Sequence, residues 1–175
     1  MNSQVPSNLT PLIPFMLTII NADLHNEQHA HDVLAMLNSY AQDPMGGGEA
    51  LSDYCQKNLI NELKTRNTVR VVLAYAGDQA AGLAICIEGF STFACKPLLN
   101  IHDFAVHPDF RSQHIGVRMM EHITRLAVEL GYCKITLEVL EGNLPARQLY
   151  LKQGFATYEL DPAMGGAIMM QKKLN

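Results

Sequence analysis

The chain of 175 residues contains no tryptophan, and its side chains are only 17% charged and 7% aromatic. It holds no apolar run of the roughly 18 residues that a membrane-spanning helix requires, so no such helix is expected. Basic residues are fewer than acidic ones, 13 against 17, for a net charge of −4. That balance supplies no basic patch of the kind nucleic acid demands, and no nucleic-acid partner is expected. Mild acidity is compatible with a cationic substrate. No C-x-x-C pair occurs. Cys55, Cys86, Cys95 and Cys133 therefore read as buried free thiols of a reducing compartment. The first residues lack the basic stretch of a signal peptide, and Pro6, Pro11 and Pro14 interrupt their apolar part. Residues 1–15 are expected to form a tail or surface strap, and the protein is expected to be cytoplasmic.

What is present is a 48% hydrophobic chain long enough for one domain with a substantial core, expected over residues 16–175. Met16 to Asn21 reads as a short apolar strand. Ala30, Val33, Leu34 and Leu37 recur at helical spacing between Asn26 and Ala41, and Asp43-Pro44 ends that helix. A second helix is expected from about Glu49 to Lys64, with Leu51, Tyr54, Cys55, Leu59, Ile60 and Leu63 inward. Thr68 to Tyr75 and Ala80 to Phe90 read as strands joined at Gly77-Asp78. Leu98 to Val106 is a fourth strand. Arg111 opens a long helix with an apolar stripe of Ile115, Met119, Ile123, Leu126, Ala127 and Leu130, stopped by Gly131. Lys134 to Leu140 is a fifth strand, and Pro145 suits the first turn of a short helix reaching Gln153. Phe155 to Leu160 and Ala167 to Lys173 are expected to close the chain as two more strands.

Three patterns carry chemistry. The first is Leu99 to Gly116, a strand, a basic glycine-bearing turn and a helix start. Helix-start amides lack intrahelical acceptors, and with the helix dipole they suit a phosphate. The second is Glu141 to Phe155, which sets Tyr150 on the short helix, one turn from Ala146. The third is His102-Asp103 on the fourth strand. Alternation puts His102, Phe104 and Val106 on one face and Asp103 on the other, unless a bulge intervenes.

Together these blocks resemble the GNAT superfamily of acyl-CoA-dependent N-acyltransferases, over residues from about 16 to 175. Arg111-Ser112-Gln113-His114-Ile115-Gly116 is similar to the family's R/Q-x-x-G-x-G/A turn, with His114 in place of the first glycine. Asn143, Ala146, Leu149, Tyr150, Gly154 and Phe155 match its N-x-x-A-x-x-L-Y-x-x-x-G-F pattern. The resemblance implies an α/β (α+β) GNAT fold, a mixed sheet of about six or seven strands flanked by about four helices. It implies acetyl-CoA as cosubstrate, held by Phe104, Ala105, Val106, Arg111, Ser112, Gln113, His114, Ile115, Gly116, Val117, Asn143, Ala146 and Tyr150.

The resemblance gives Tyr150 the role of acid toward the departing thiolate, and a phenol is protonated at neutral pH. An amine must lose a proton to attack, and a histidine is suited to take it, which makes His102 the candidate base and Asp103 the reserve. Phe90-Ser91-Thr92-Phe93 and Asp103 resemble the diamine acetyltransferase branch, although His102 stands where that branch has glutamate. The implied function is transfer of acetyl to a small-molecule primary amine by direct attack in a ternary complex. Protein N-terminal or lysine acetylation is the alternative enzyme, and a non-catalytic acyl-CoA-binding regulatory module the alternative outside enzymes. Similar enzymes pair through C-terminal strands, so a homodimer is expected. The loop Pro44 to Gly48 follows a helix and is not a phosphate loop; in relatives it borders the acceptor site. His25, His29 and His31 lack metal-site context and read as a solvated helix start, so no metal is expected.

Overall fold

Val69–Ala76, VRVVLAYA, is an almost continuous apolar run, and this strand becomes the buried spine of a sheet. A computed structural model describes residues 16–159 and 161–174; the expected tail over 1–15 lies outside them. The elements run β1 (Leu17–Asn21), α1 (Glu27–Gln42), α2 (Asp53–Lys64), β2 (Val69–Ala76), β3 (Gln79–Ser91), β4 (Lys96–Val106), α3 (Ile115–Glu129), β5 (Ile135–Leu137) and α4 (Leu144–Lys152). Short 3₁₀ turns occupy Pro108–Phe110 and Pro162–Met164. The sheet has five strands in the order β1-β2-β3-β4-β5. β1 to β4 are antiparallel, and β5 adds in parallel to β4. This is the mixed sheet with four α-helices that the GNAT resemblance implies.

Local chemistry sets the helix ends. The Asn26 side chain accepts from the amides of Gln28 and His29 at 2.9 and 3.2 Å, and Ser52 accepts from Cys55 at 3.2 Å. Gly77, at φ 60°, turns β2 into β3, and Gly131, at φ 73°, follows the end of α3.

The sheet separates two apolar layers. On one side Val33, Met36 and Leu37 of α1 pack with Val71, Leu73, Leu83 and Ile85. On the other, Ile115, Met119, Met120, Ile123 and Ala127 of α3 pack with Val72, Ala84, Cys86, Leu99 and Ile101. Leu73, Leu83, Leu99, Ile115 and Ile123 are sealed from solvent, each contributing about 1.5–3 kcal/mol of transfer free energy.

Several expectations are corrected. The two closing strands do not join the sheet: beyond Gly154 the described residues show one isolated bridge, Glu159↔Gly166. Ile168, Met169 and Met170 are exposed instead. An apolar run matches strand periodicity, but a strand needs a paired edge, and β5 pairs with β4 through only Leu99↔Ile135, Asn100↔Thr136 and Ile101↔Leu137. α3 begins at Ile115 rather than Arg111, because residues 108–110 form the 3₁₀ turn and Ser112 and His114 take left-handed backbone at φ 63° and 61°. Tyr54 and Leu130 are exposed, not inward. Of the cysteines only Cys86 is buried; Cys55 is half-buried, and Cys95 and Cys133 are exposed. The latter two sit in the β3–β4 turn and just before β5, where the chain surfaces. All four are free thiols. Burial, with the Asp103 charge adding to it, pushes Cys86 up to about 12, which makes it a packing residue.

Candidate active site

β4 and β5 are hydrogen-bonded neighbours only as far as Ile101↔Leu137. Beyond that pair they part, and a cleft of about 1070 Å³ opens between them. Its walls come from β4, the turn before α3, the chain after β5, α4 and the loop after α1.

A bulge shapes the β4 wall. Asp103 pairs with Ile85 and Ile101 with Cys86, which leaves His102 as the extra, unpaired residue. The extra residue shifts the strand's phase. Ile101 and Phe104 are three apart, yet both join the α3-side layer. His102 is exposed and lines the cleft. Asp103 is half-buried and is not on the cleft wall. Burial holds its carboxyl above the usual range, against the nearby His102, and its charge also reaches the Tyr40 phenol.

The turn wall is rich in unused donors. The backbone N–H groups of Ser112, Gln113, His114, Ile115, Gly116 and Val117 find no acceptor among the described residues. His114 adopts the left-handed backbone that the replaced glycine would favour, and its side chain is exposed. The substitution therefore keeps the turn's shape at a local cost of about 1–2 kcal/mol. Gly116 sits against α4 and β4: a Cβ there would meet Leu149 Cδ2 at 3.1 Å and Phe104 Cε1 at 3.6 Å. The result is an open row of amides at the start of a 15-residue helix, a donor set for an anionic group such as a phosphate. Besides Asp103, two predicted coenzyme-contact residues do not line the cleft. Ala105 is buried where it pairs with Leu83, and Gln113 turns back to donate to the Asp109 carbonyl at 3.2 Å.

α4 supplies the opposite wall. The Asn143 side chain caps it, its oxygen accepting from Ala146 N–H at 3.3 Å, while the residue also lines the cleft. One helical turn beyond Ala146, Tyr150 is 8% exposed and lines the cleft. Its ring packs edge-on to Phe104 with centroids 6.0 Å apart, and lies 5.9 Å from that of Phe155. The ring is thus fixed from two sides, while its hydroxyl makes no hydrogen bond among the described residues. Burial, reinforced by the Tyr40 phenol, pushes Tyr150 up to about 12. The hydroxyl is a proton and hydrogen-bond donor at every pH the protein would work at.

The remaining wall holds two residues that sequence reasoning missed, Tyr40 on the cleft and Asp43 behind it. Tyr40 near the end of α1 and Met45, Gly46 and Gly47 of the following loop line the cleft. Arg111 donates its Nε–H to the Val106 carbonyl at 3.1 Å and a terminal N–H to Asp43 Oδ2 at 2.7 Å. The Arg111 guanidinium holds the Asp43 carboxyl below the usual carboxylate range. Helical periodicity marks none of these contacts.

The comparisons agree with this architecture. The model of the acetyltransferase (GNAT) family matches residues 33–155, well over half of the chain. An uncharacterized N-acetyltransferase of Archaeoglobus fulgidus is 33% identical over 98 residues, covering 55% of this chain and 67% of that one. Streptothricin acetyltransferase of Streptomyces lavendulae is 35% identical over 94 residues, covering 54% of this chain but only 47% of its own length. Among solved structures, an aminoglycoside acetyltransferase from an uncultured soil metagenomic sample superposes with a TM-score of 0.73 at 16% identity, covering 91% of this chain and 97% of that one. At that identity the likeness speaks for the fold alone. Sequence, sheet topology and the parted strands agree, and the chain belongs to the acetyltransferase (GNAT) family.

Proposed function

We propose that the protein moves an acetyl group from acetyl-CoA to a primary amine of a small molecule, by direct attack in a ternary complex. The observation that carries this reading is the cleft itself: one opening is bordered by acceptor-free turn amides, by the unengaged Tyr150 hydroxyl and by the bulged His102. GNAT acetyltransferases use acetyl-CoA, and the donor set suits its diphosphate. The amides from Ser112 to Val117 and the Arg111 guanidinium would hold that group, and the Asn143 amide would meet the arm that follows.

When bound, acetyl-CoA supplies the thioester whose acetyl group moves and whose sulfur leaves as a thiolate. Tyr150 donates its phenolic proton, or a hydrogen bond, to that departing sulfur. A phenol held up to about 12 stays protonated until it is needed, and it recovers its proton readily afterwards. His102 accepts the proton of the attacking amine, directly or through one water. Asp103 is the reserve base; it is half-buried and pairs with Ile85 of the α1-side layer.

Retention of Tyr150 with a free hydroxyl favours an enzyme over a non-catalytic acyl-CoA module. Among amines, the Phe90-Ser91-Thr92-Phe93 and Asp103 resemblance does not select di- and polyamines, because His102 replaces that branch's glutamate and Asp103 lies off the cleft wall; the acidic balance of the chain is compatible with a cationic acceptor. Protein N-termini and lysines form the competing acceptor class. A panel of amines and peptides incubated with acetyl-CoA and a thiol-reactive dye separates them by which acceptors release CoA.

Arg111→Ala is expected to weaken acetyl-CoA binding by about 1–3 kcal/mol in calorimetry, the size of one charge-assisted hydrogen bond. Unchanged affinity would place the diphosphate elsewhere.

We further propose one domain over residues 16–175, a cytoplasmic location and a homodimer. The dimer is supported by the exposed apolar residues Ile168, Met169 and Met170 and by a last strand of only three residues, surface that a second copy would cover. Light scattering at micromolar concentration should give twice the chain mass; a monomer removes the proposal. Among the described residues no helix is long and apolar enough to cross a membrane.

A further inference from the structure

The Asp43–Arg111 ion pair joins two walls of the cleft that are 68 residues apart in sequence. Asp43 uses both carboxylate oxygens. Oδ1 accepts from Met45 N–H at 2.8 Å inside its own loop, and Oδ2 takes the Arg111 guanidinium at 2.7 Å. Its backbone carbonyl accepts from Gly46 and Gly48 at 2.8 and 3.1 Å. The whole loop is therefore organised around one residue, and that residue is tied to the turn. The Asp43 side chain is 15% exposed, whereas Arg111 remains half exposed on the cleft side. Gly47 and Gly48, at φ 128° and 81°, give the loop backbone freedom. Gly46 is closed to any side chain, since a Cβ would collide with the Tyr40 carbonyl oxygen.

We propose that Asp43 is a latch that occupies Arg111 until a diphosphate-bearing coenzyme displaces it, so that coenzyme binding frees the loop 43–48 on the acceptor side of the cleft. This rests on the reading that acetyl-CoA binds at the turn 111–117. The displacement follows from charge. A partly exposed ion pair is a weak competitor. A diphosphate carries more negative charge, and it also gains the α3 amides and dipole, which Asp43 does not reach. Once the diphosphate shares the guanidinium, the Asp43 carboxylate becomes a like-charged neighbour and is repelled. Loop release then follows coenzyme binding, and the amine enters second. Asp43 thereby lowers coenzyme affinity while holding the loop in place in the empty enzyme.

The test combines CoA titration by calorimetry with amide hydrogen exchange over residues 43–49, on the full chain. Asp43→Asn keeps an oxygen for Met45 N–H but removes the charge that holds Arg111. Asp109→Asn removes an equal charge near the turn without touching Arg111. In the wild type, CoA is expected to speed exchange at Met45, Gly46 and Gly48. In Asp43→Asn the loop should exchange fast without CoA, and CoA should bind about three- to fivefold more tightly, the worth of a surface ion pair. Asp109→Asn should fall short of that tightening. Weaker or unchanged binding in Asp43→Asn, equal tightening in Asp109→Asn, or CoA that slows loop exchange would each overturn the latch and leave the functional reading standing. A wild type that binds no CoA at millimolar concentration would overturn both.

Discussion

Replacing Tyr150 by phenylalanine is expected to lower kcat by about 10²–10⁴-fold, the usual contribution of a positioned general acid. Acetyl-CoA affinity should stay nearly constant. The phenylalanine keeps the edge-on contact with Phe104 and the packing on Phe155, and loses only a hydroxyl with no partner in the described residues. The sign of the pH dependence follows from burial, with the Tyr40 phenol adding to it, which together hold Tyr150 up to about 12. The wild-type rate should show no falling limb from tyrosine ionisation below about pH 11. Steady-state kinetics on a confirmed acceptor, with a parallel binding titration, checks both statements. A variant with wild-type kcat removes Tyr150 from the mechanism.

His102→Ala is the second large effect. The imidazole sits at the bulge, exposed to the cleft, and no strand partner competes for it. Its loss should lower kcat within the same range of about 10²–10⁴-fold. The loss should be greatest below about pH 8, where an unassisted amine is almost wholly protonated. It should shrink as pH rises and the acceptor ionises by itself. A pH–rate profile of the variant therefore steepens relative to wild type. A uniform loss at all pH would mean that His102 positions the acceptor rather than deprotonating it. If neither variant loses rate, the protein works by positioning alone, with water carrying both protons.

Local rules made much of this fold legible. The spacing of Val33 and Leu37 and the Gly77-Asp78 turn gave α1 and the β2–β3 hairpin within a residue or two. Gly131 and Gly154 mark the ends of α3 and α4 because their positive φ suits glycine. Pairing was not legible to the same degree. The run Ala167 to Lys173 has strand composition, yet a strand exists only against a partner edge. The bulge at His102 also leaves no trace in composition, since one extra residue alters register and not residue type.

The site divides in the same way. The turn from Arg111 to Gly116 and the Asn143–Tyr150 helix were readable because each is contiguous in sequence. His114 was readable as a departure, but not its outcome, which is a left-handed backbone taken without glycine. Tyr40 and Asp43 were invisible as parts of the site. They reach the cleft through the packing of α1 on the sheet, and the Asp43–Arg111 contact has no local signature at all.

The most direct test of the central claim uses the wild-type protein, acetyl-CoA and a panel of small amines that includes di- and polyamines. Free thiol is followed by dye and the products by mass spectrometry. The account predicts CoA release that depends on the amine, together with a product carrying one added acetyl group on a primary nitrogen. Binding of acetyl-CoA without release for any amine or peptide would contradict it, and would make the protein an acyl-CoA-binding module.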